Sequence, residues 1–284
     1  MSLKNIGYKE EMISFQYKDG RKVVDDDSIA YILPSDATEV ERLRMTLGGL
    51  YKAPMHEALT KGIQVLDIGC GPGFWTRDMA RLYPNSKFIG IDMANVFATN
   101  DLPPNLEFKI INAVNGLPFE DESFHFVFQR FLVMGFPTDQ YKNSIQELKR
   151  VLKKGGVIEI LELVNDYKNA PPSLVKISSW IDDALTSRGM DSFIADKISS
   201  FLNDSGFNDI QDINYTIPIG EWGGDSGKLY LSIQHLALAA VGVMVTKLTS
   251  VTEKEYKETL NEAFNSSKEY NISNRFRLVY GKKP

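Results

Sequence analysis

The 284-residue chain is predicted to fold as an α/β protein with a doubly wound, mostly parallel sheet of seven strands. Short apolar runs alternate with amphipathic helical segments from Gly62 onward, as in a parallel sheet with helical crossovers. The first of these runs enters a glycine-rich turn that is followed by a helix. With 43% hydrophobic residues, the chain is long enough to bury a sizeable core. No linker rich in proline, glycine or serine separates its halves, so a single domain is expected.

The elements follow from the apolar periodicity and from the residues that start and stop them. Before Gly62, residues 12–17 form a candidate strand and residues 23–27 a solvated turn. A helix is predicted from Asp36, which has capping-box spacing with Glu39, to Gly48. The predicted strands after Gly62 cover residues 63–68, 87–91, 106–111, 124–128, 157–164, 210–219 and 274–280. The predicted helices cover residues 74–82, 138–154, 171–185, 191–206, 229–245 and 253–264.

Composition excludes several classes of function. The chain has 32 basic and 37 acidic residues, a net charge of −5, so no global basic surface for nucleic acid is expected. One cysteine rules out an intrachain disulfide. The longest apolar stretch, residues 236–245, is too short for a membrane span, and the charged first residues do not resemble a signal peptide. A cytoplasmic protein is therefore expected.

The strongest local pattern is the turn at residues 69–73, Gly-Cys-Gly-Pro-Gly, between an apolar strand and a helix. Glycines allow the tight turn and let a ligand approach the backbone, and the start of the helix supplies free amides. A dinucleotide fingerprint requires glycine or alanine where this chain has Phe74, and Pro72 removes one amide from a phosphate cradle. The turn therefore favours a nucleoside ligand without pyrophosphate over NAD.

Asp92 ends the second strand of the alternating region, nineteen residues after Gly73. The carboxyl ends of neighbouring strands meet at the ligand crevice of a doubly wound sheet. A carboxylate at that place can accept hydrogen bonds from both ribose hydroxyls. The glycine turn and Asp92 together predict a nucleoside site.

These residues resemble a known family. Residues 67–73 are similar to motif I of the class I S-adenosylmethionine-dependent methyltransferases, which have a Rossmann-like fold. Asp92 matches that family's ribose-binding acid, and Asn112-Ala113 matches its adenine-contact position, where Asp is more usual. Segments within residues 117–124 and 148–156 also match, although His125 stands where the family usually has Asp. The resemblance implies S-adenosylmethionine as cofactor and S-adenosylhomocysteine as product.

A narrower resemblance rests on segments within residues 31–43, 219–223 and 280–284. They are similar to the fungal methyltransferases related to the secondary-metabolism regulator LaeA.

The expected cofactor-binding residues combine the matched motifs with aromatic faces that would suit a sulfonium cation. For the aromatic candidates, which also include Phe74 and Phe131, core packing is the alternative. The expected set is Asp67, Gly69, Cys70, Gly71, Gly73, Trp75, Asp92, Met93, Asn112, Ala113, Gln129, Arg130 and Tyr51. Cys70 is interpreted as a small loop residue whose amide matters, and not as a nucleophile.

Methyl transfer is an in-line displacement that depends mainly on alignment and desolvation. Residues 129–132, Gln-Arg-Phe-Leu, lack the Asp/Asn-Pro-Pro-aromatic pattern of adenine and glutamine N-methyltransferases. Glu162 is a candidate for orienting an acceptor or accepting a proton, with a surface carboxylate as the alternative. His235 is the candidate general base, with a structural histidine as the alternative. No metal site is expected, because no cluster has ligand spacing.

The resemblance divides the single domain into parts with different tasks. Residues 1–61 form an N-terminal lid segment, 62–164 the cofactor-binding core, 165–205 and 226–270 a helical elaboration on the acceptor side, and 271–284 the last strand. Apolar lid residues such as Trp180, Ile181, Met190 and Phe193 favour a hydrophobic small molecule.

The expected function is transfer of a methyl group to a small, apolar metabolite. The alternative is a LaeA-like regulatory protein, nuclear or cytoplasmic, that binds the cofactor and acts through protein partners. An NAD-dependent oxidoreductase is disfavoured by Phe74. The identity of the acceptor and the oligomeric state stay open.

Overall fold

The computed structural model describes residues 15–18, 21–24, 48–97 and 100–284, the first two stretches by their backbone alone. The strands β1 (Phe15–Lys18) and β2 (Arg21–Val24) pair as an antiparallel hairpin. β1 overlaps the predicted strand at residues 12–17, whereas β2 was not predicted. The predicted helix at residues 36–47 lies outside the described residues.

Seven further strands form a single sheet, as predicted. They are β3 (Gln64–Ile68), β4 (Lys87–Asp92), β5 (Leu106–Ile110), β6 (Phe124–Arg130), β7 (Leu152–Lys168), β8 (Asn208–Pro218) and β9 (Ser273–Lys282). Their order across the sheet is β5-β4-β3-β6-β7-β9-β8, and β9 runs antiparallel to both of its neighbours while the pairs from β5 to β7 are parallel. The prediction of a doubly wound, mostly parallel sheet is confirmed.

The helices cover both faces of this sheet. They are α1 (His56–Lys61), α2 (Phe74–Leu82), α3 (Thr138–Val151), α4 (Pro172–Ser187), α5 (Ile198–Asp204), α6 (Gly224–Leu248) and α7 (Glu253–Asn265). Short 3-10 turns lie at Ala113–Asn115, Ile194–Lys197, Glu221–Gly223 and Ser266–Glu269. Local chemistry explains where two of the helices start. Helix α4 has proline in its first turn, and the Thr252 side chain accepts a hydrogen bond from the Glu255 amide at the start of α7.

Helix α1 was not predicted, β7 extends beyond the predicted residues 157–164 at both ends, and three helix boundaries also differ from the prediction. The helix predicted to reach residue 154 ends at Val151, because Leu152 already pairs with Phe124 in the sheet. The helix predicted from residue 191 begins as a 3-10 turn at Ile194 and becomes α-helical only at Ile198. Helix α6 begins five residues earlier than predicted, at Gly224, where two glycines hid the helical pattern.

Apolar side chains alternate between the two faces of the sheet and pack against different helices. One face carries Trp75 of α2 against β3 and β6, where its ring stacks on Phe128 at a centroid distance of 3.9 Å. The opposite face packs against α3, whose buried residues Tyr141, Ile145, Leu148 and Val151 recur at helical spacing. A third cluster joins α4, α6 and α7 to β7 and β9, and it contains the predicted lid residues Ile181 and Met190 in buried positions.

Helix α6 is the longest of the helices described. Together with the preceding turn it is, by length and composition only, apolar enough to cross a membrane, and 39% of its most apolar window is buried. The sequence prediction of no membrane span considered consecutive apolar residues, and this helix interrupts them with Ser232, Gln234 and His235. It packs against α4, α7 and β8.

Candidate active site

The glycine turn after β3 has the backbone conformation that its sequence predicts. Gly69, Gly71 and Gly73 have φ angles of 64°, 55° and 78°, in the left-handed region that favours glycine. A Cβ at Gly73 would lie 2.1 Å from the Phe108 ring, so the turn also requires a residue without a side chain there. The Cys70 amide donates to the Ile91 carbonyl at 2.9 Å, which ties the turn to β4.

Asp92 lies at the end of β4 beside this turn. Its side chain is 4% exposed, and its two carboxylate oxygens accept hydrogen bonds from the Gly71 and Ala94 amides, each at 2.9 Å. Burial raises the pKa of Asp92, and hydrogen bonds from the Ala94, Gly71 and Met93 amides oppose that rise. The carboxylate has about four acceptor sites in all, so it can still accept a hydrogen bond from a ligand hydroxyl. The position and chemistry of Asp92 therefore suit the predicted ribose contact.

Asp67 lies at the opposite side of the turn, in β3. Its carboxylate is buried and accepts a hydrogen bond from the Thr76 hydroxyl at 2.5 Å. Burial raises the pKa of Asp67 to about 7, while the positive charge of Arg130 and the Thr76 hydrogen bond act against that shift. Arg130, at the end of β6, therefore lies close enough to influence Asp67 through its charge. Burial is the largest cause of the raised pKa of Cys70, and the positive charge of Arg130 opposes that rise.

The predicted adenine contacts follow β5. Asn112 is half-buried, and its side-chain oxygen accepts a hydrogen bond from the Val114 amide at 3.0 Å, which caps the 3-10 turn containing Ala113. The Ile111 amide donates to the Asp92 carbonyl at 2.9 Å, so this segment is held beside the ribose position. Met93 follows Asp92 directly and is half-buried. The predicted adenine and ribose residues thus share one edge of the sheet.

The side chains of two aromatic residues of the predicted cofactor set pack against the core instead, which differs from the prediction. Trp75 has no exposed surface, stacks on Phe128, and donates its indole hydrogen bond to the Leu50 carbonyl at 2.7 Å. Tyr51 contacts Phe126 and bonds to the hydroxyl of Tyr83 at 2.6 Å. Phe126 pairs with Val65 near the starts of the strands, so Tyr51 lies toward the edge opposite the glycine turn. Both are core or structural residues in this conformation.

Gln129 and Glu162 also differ from their predicted places, because both are fully buried. Gln129 donates to the Tyr141 hydroxyl at 2.8 Å, on the α3 side of the sheet. Glu162 accepts hydrogen bonds from the Leu132 and Val133 amides and from Tyr141. Burial raises the pKa of Glu162 to about 7, and these hydrogen bonds oppose that rise. The carboxylate has no exposed surface from which to orient an acceptor, so its geometry favours a positioning task.

His235, the candidate general base, lies on α6. Its ring contacts Phe264 of α7 edge-on at a centroid distance of 4.6 Å. Within the described part of the chain, the extensive contacts of this helix are with α4, α7 and β8, which favours the structural interpretation of His235.

Sequence analysis did not identify Glu159. This carboxylate is fully buried on the face opposite to Glu162, and it accepts hydrogen bonds from the Lys52 amide at 2.9 Å and the Ala53 amide at 2.6 Å. Burial raises its pKa to about 7. The available signal was an acidic residue inside the apolar run at residues 157–164. Glu159 anchors the segment before α1 and does not contact the glycine turn in the bonds described.

The residues at the glycine edge fit a nucleoside-containing sulfonium cofactor. Helix α2 begins after Gly73, which has no side chain to cap its free amides. Asp92 supplies acceptors for hydroxyls, Asn112 an amide, and Arg130 a positive charge within the same edge. The arrangement has donors and acceptors for a ribose, a base and an amino-acid carboxylate.

Comparison with known proteins gives a matching family. Residues 65–156 match a methyltransferase domain. The secondary metabolism regulator LAE1 of Cochliobolus heterostrophus is 26% identical over 69% of this chain and 68% of its own length. The N-methyltransferase sirN of Leptosphaeria maculans is 26% identical over 69% of this chain and 72% of its own length. A phosphoethanolamine N-methyltransferase 2 of Haemonchus contortus shares the fold, with 17% identity and a TM-score of 0.53 over 90% of this chain and 54% of its own.

The matched domain and the strand order define the class: residues 65–156 carry a methyltransferase domain, and the sheet has the strand order of the methyltransferase Rossmann-like fold. The predicted class, an S-adenosylmethionine-dependent methyltransferase, is confirmed, and S-adenosylmethionine is the methyl donor that this domain and fold imply. Within that class, the predicted similarity to fungal LaeA-like proteins is confirmed as well.

Proposed function

We propose that the chain transfers the methyl group of S-adenosylmethionine to a small, apolar metabolite by in-line displacement. The observation that carries this proposal is an apolar wall directly beyond β6. Phe131, Leu132 and Met134 are each partly exposed there, although all three are hydrophobic. Leu132 packs against Gly69, where a Cβ would lie 2.5 Å from the leucine Cδ2, so this wall adjoins the glycine turn.

Behind the wall lies the buried core that joins the helical elaboration to the sheet. Phe131 contacts the Phe276 ring at a centroid distance of 5.5 Å, and Tyr230 of α6 contacts the same ring at 5.7 Å. An acceptor held between the partly exposed Phe131, Leu132 and Met134 and the cofactor would meet aromatic and aliphatic groups, which favours a hydrophobic small molecule.

The cofactor's sulfonium supplies an activated methyl group with a neutral leaving group. The residues of the chain therefore need to bind, align and exclude water rather than activate the donor. Asp92 would hold the ribose, Asn112 and Ala113 the adenine, and Arg130 the amino-acid carboxylate. A general base is not required by this arrangement, which agrees with the structural settings of Glu162 and His235.

The names of the relatives also support the proposal. One is named an N-methyltransferase and another a regulator of secondary metabolism, and both are fungal. These names are compatible with a metabolite as acceptor. They also keep the LaeA-like regulatory function as the competing hypothesis.

The proposal is tested with methyl-labelled S-adenosylmethionine and an extract of the source organism. After incubation, organic-soluble molecules, polar molecules, protein and RNA are separated and counted. Label should enter the organic-soluble fraction with the native chain and with the control Glu107→Ala, whose exposed carboxylate contacts Lys109. Asp92→Ala should lower that label at least about tenfold, the effect of losing about 1.4 kcal/mol of binding.

Three outcomes would contradict the proposal. Label confined to the polar fraction would rule out an apolar acceptor. Label confined to protein or RNA would rule out a small molecule. No transfer by a protein that binds S-adenosylhomocysteine would favour the regulatory hypothesis.

A further inference from the structure

Three fully buried polar side chains from three elements meet beneath the turn that follows β6. Gln129 of β6 donates to the hydroxyl of Tyr141 on α3 at 2.8 Å. The same hydroxyl donates to Oε1 of Glu162 on β7 at 3.2 Å. Because a buried charge is costly without hydrogen bonds, such a cluster needs a structural reason to be present.

The carboxylate of Glu162 holds the backbone of this turn. Its Oε1 accepts from the Leu132 amide at 2.9 Å, and its Oε2 accepts from the Val133 amide at 3.2 Å. Phe131, the preceding residue, has a φ of 54°, which is unusual for an aromatic residue and requires surroundings that hold it. The Gly135 amide closes the turn onto the Leu132 carbonyl at 2.8 Å.

The turn in question, residues 131–135, touches the cofactor loop directly. The side chain of Leu132 lies against the α-carbon of Gly69 so closely that a Cβ there would be 2.5 Å from Cδ2. Gly69 has a φ of 64° and begins the segment whose amides bond to Ile91 and Asp92. Any displacement of the Leu132 backbone therefore acts on the first residue of the glycine turn.

We infer that Glu162 is a positioning residue that fixes the cofactor loop through Leu132, and that Tyr141 supports it. This inference rests on the proposed function and deepens it. It gives Glu162 a role in cofactor binding, although the carboxylate does not contact the reacting atoms. The same turn carries Phe131 and Met134 of the apolar wall. Glu162 thus sets the distance between the cofactor loop and the surface that faces the acceptor.

Glu159 provides a matched control on the same strand. It is equally buried, it also accepts hydrogen bonds from two backbone amides, and burial likewise raises its pKa to about 7. Its partners, Lys52 and Ala53, lie before α1 on the other face of the sheet. Glu159→Gln therefore reproduces the loss of a buried carboxylate without loosening the turn after β6.

The test compares Glu162→Gln, Tyr141→Phe and Glu159→Gln by amide hydrogen exchange and by calorimetric titration with S-adenosylhomocysteine. Glutamine keeps one acceptor but turns an amide group toward the second backbone donor. Glu162→Gln should speed exchange at residues 131–135 and 69–73 and weaken S-adenosylhomocysteine binding about tenfold, the equivalent of about 1.4 kcal/mol. Tyr141→Phe, which leaves both backbone bonds of Glu162 in place, should give a smaller change at the same two segments.

Glu159→Gln should speed exchange at residues 52–53 and leave residues 69–73 as in the native chain. The inference is overturned if Glu162→Gln and Tyr141→Phe leave exchange at residues 69–73 unchanged, whatever their thermal stability. Should Glu162→Gln fail to fold, Tyr141→Phe decides the result. The exchange measurement needs no ligand and therefore tests this inference independently of cofactor binding. A native chain that does not bind S-adenosylhomocysteine would contradict the proposed function, whereas the exchange rates would still support or overturn the inference.

Discussion

Removal of the Asp92 carboxylate perturbs the proposed site at its best-defined point. This side chain is 4% exposed and accepts hydrogen bonds from the Gly71 and Ala94 amides, each at 2.9 Å. Asp92→Ala takes away both acceptors and the negative charge at the proposed ribose position. The loss should therefore appear both in the stability of the chain and in the affinity for the cofactor.

The magnitudes follow from the number of bonds. Each backbone donor left unsatisfied costs about 1–3 kcal/mol, so the free energy of unfolding should fall measurably. Hydrogen bonds to a charged group contribute about 1.5–3 kcal/mol each. With one such bond lost at the ribose, the dissociation constant of S-adenosylhomocysteine should rise about 10- to 150-fold.

Calorimetric titration of S-adenosylhomocysteine measures this change directly, and urea unfolding measures the stability. Glu107→Ala is the control, because that exposed carboxylate contacts only Lys109 among the ion pairs described for it and exposed pairs contribute about 0–1 kcal/mol. An affinity for S-adenosylhomocysteine that is the same in Asp92→Ala and Glu107→Ala would refute the assignment of the ribose to Asp92.

Two further predictions concern the glycine turn and buried charge. Gly73→Ala should lower the free energy of unfolding, measured in urea, by about 1–3 kcal/mol more than Gly189→Ala does. Both glycines have a positive φ, but only a Cβ at residue 73 would clash with the Phe108 ring. Equal losses in the two variants would contradict the steric argument. The pKa of Glu159 is raised to about 7, so its contribution to stability is present below its unfolded pKa near 4.5 and is lost as pH rises through 7. Between pH 5 and 8, the ionisation of Glu159 should lower the free energy of unfolding in urea by up to about 3 kcal/mol. This part of the decline should be absent in Glu159→Gln. A decline as steep in the variant as in the native chain would contradict the prediction.

Much of the fold was predictable because parallel strands buried on both faces give apolar runs that stand out in the sequence. All seven strands of the large sheet were predicted, and the glycine turn was predicted with its conformation. Two of the missed helix boundaries lie near glycines, at the start of α6 and after the end of α3, where local patterns are weakest.

Part of the site was predictable because its members are fixed by local chain geometry. Gly69 to Gly73 and Asp92 stand at strand ends, and parallel strands place such ends together. Trp75 was misassigned because helical periodicity does not say which face of α2 the sheet covers. Its burial depends on Phe128 and on the Leu50 carbonyl, both distant in sequence.

Glu159 and Glu162 show the limit of sequence reasoning most clearly. Both lie in an apolar run that predicts burial, and both are acidic, which predicts exposure. Both side chains are buried in the structure, because backbone amides donate hydrogen bonds to their carboxylates, and the sequence pattern does not identify those donors. The partners of Glu159 are 106 and 107 residues away, and those of Glu162 are 29 and 30 residues away.

The most direct test of the central claim is a crystal structure of the chain with S-adenosylhomocysteine. The account predicts the ribose hydroxyls within hydrogen-bond distance of the Asp92 carboxylate, the adenine beside Met93 and Asn112, and the sulfur facing the wall formed by Phe131, Leu132 and Met134. A nucleoside bound away from Asp92, or a sulfur directed away from that wall, would contradict the proposed site and the acceptor surface derived from it.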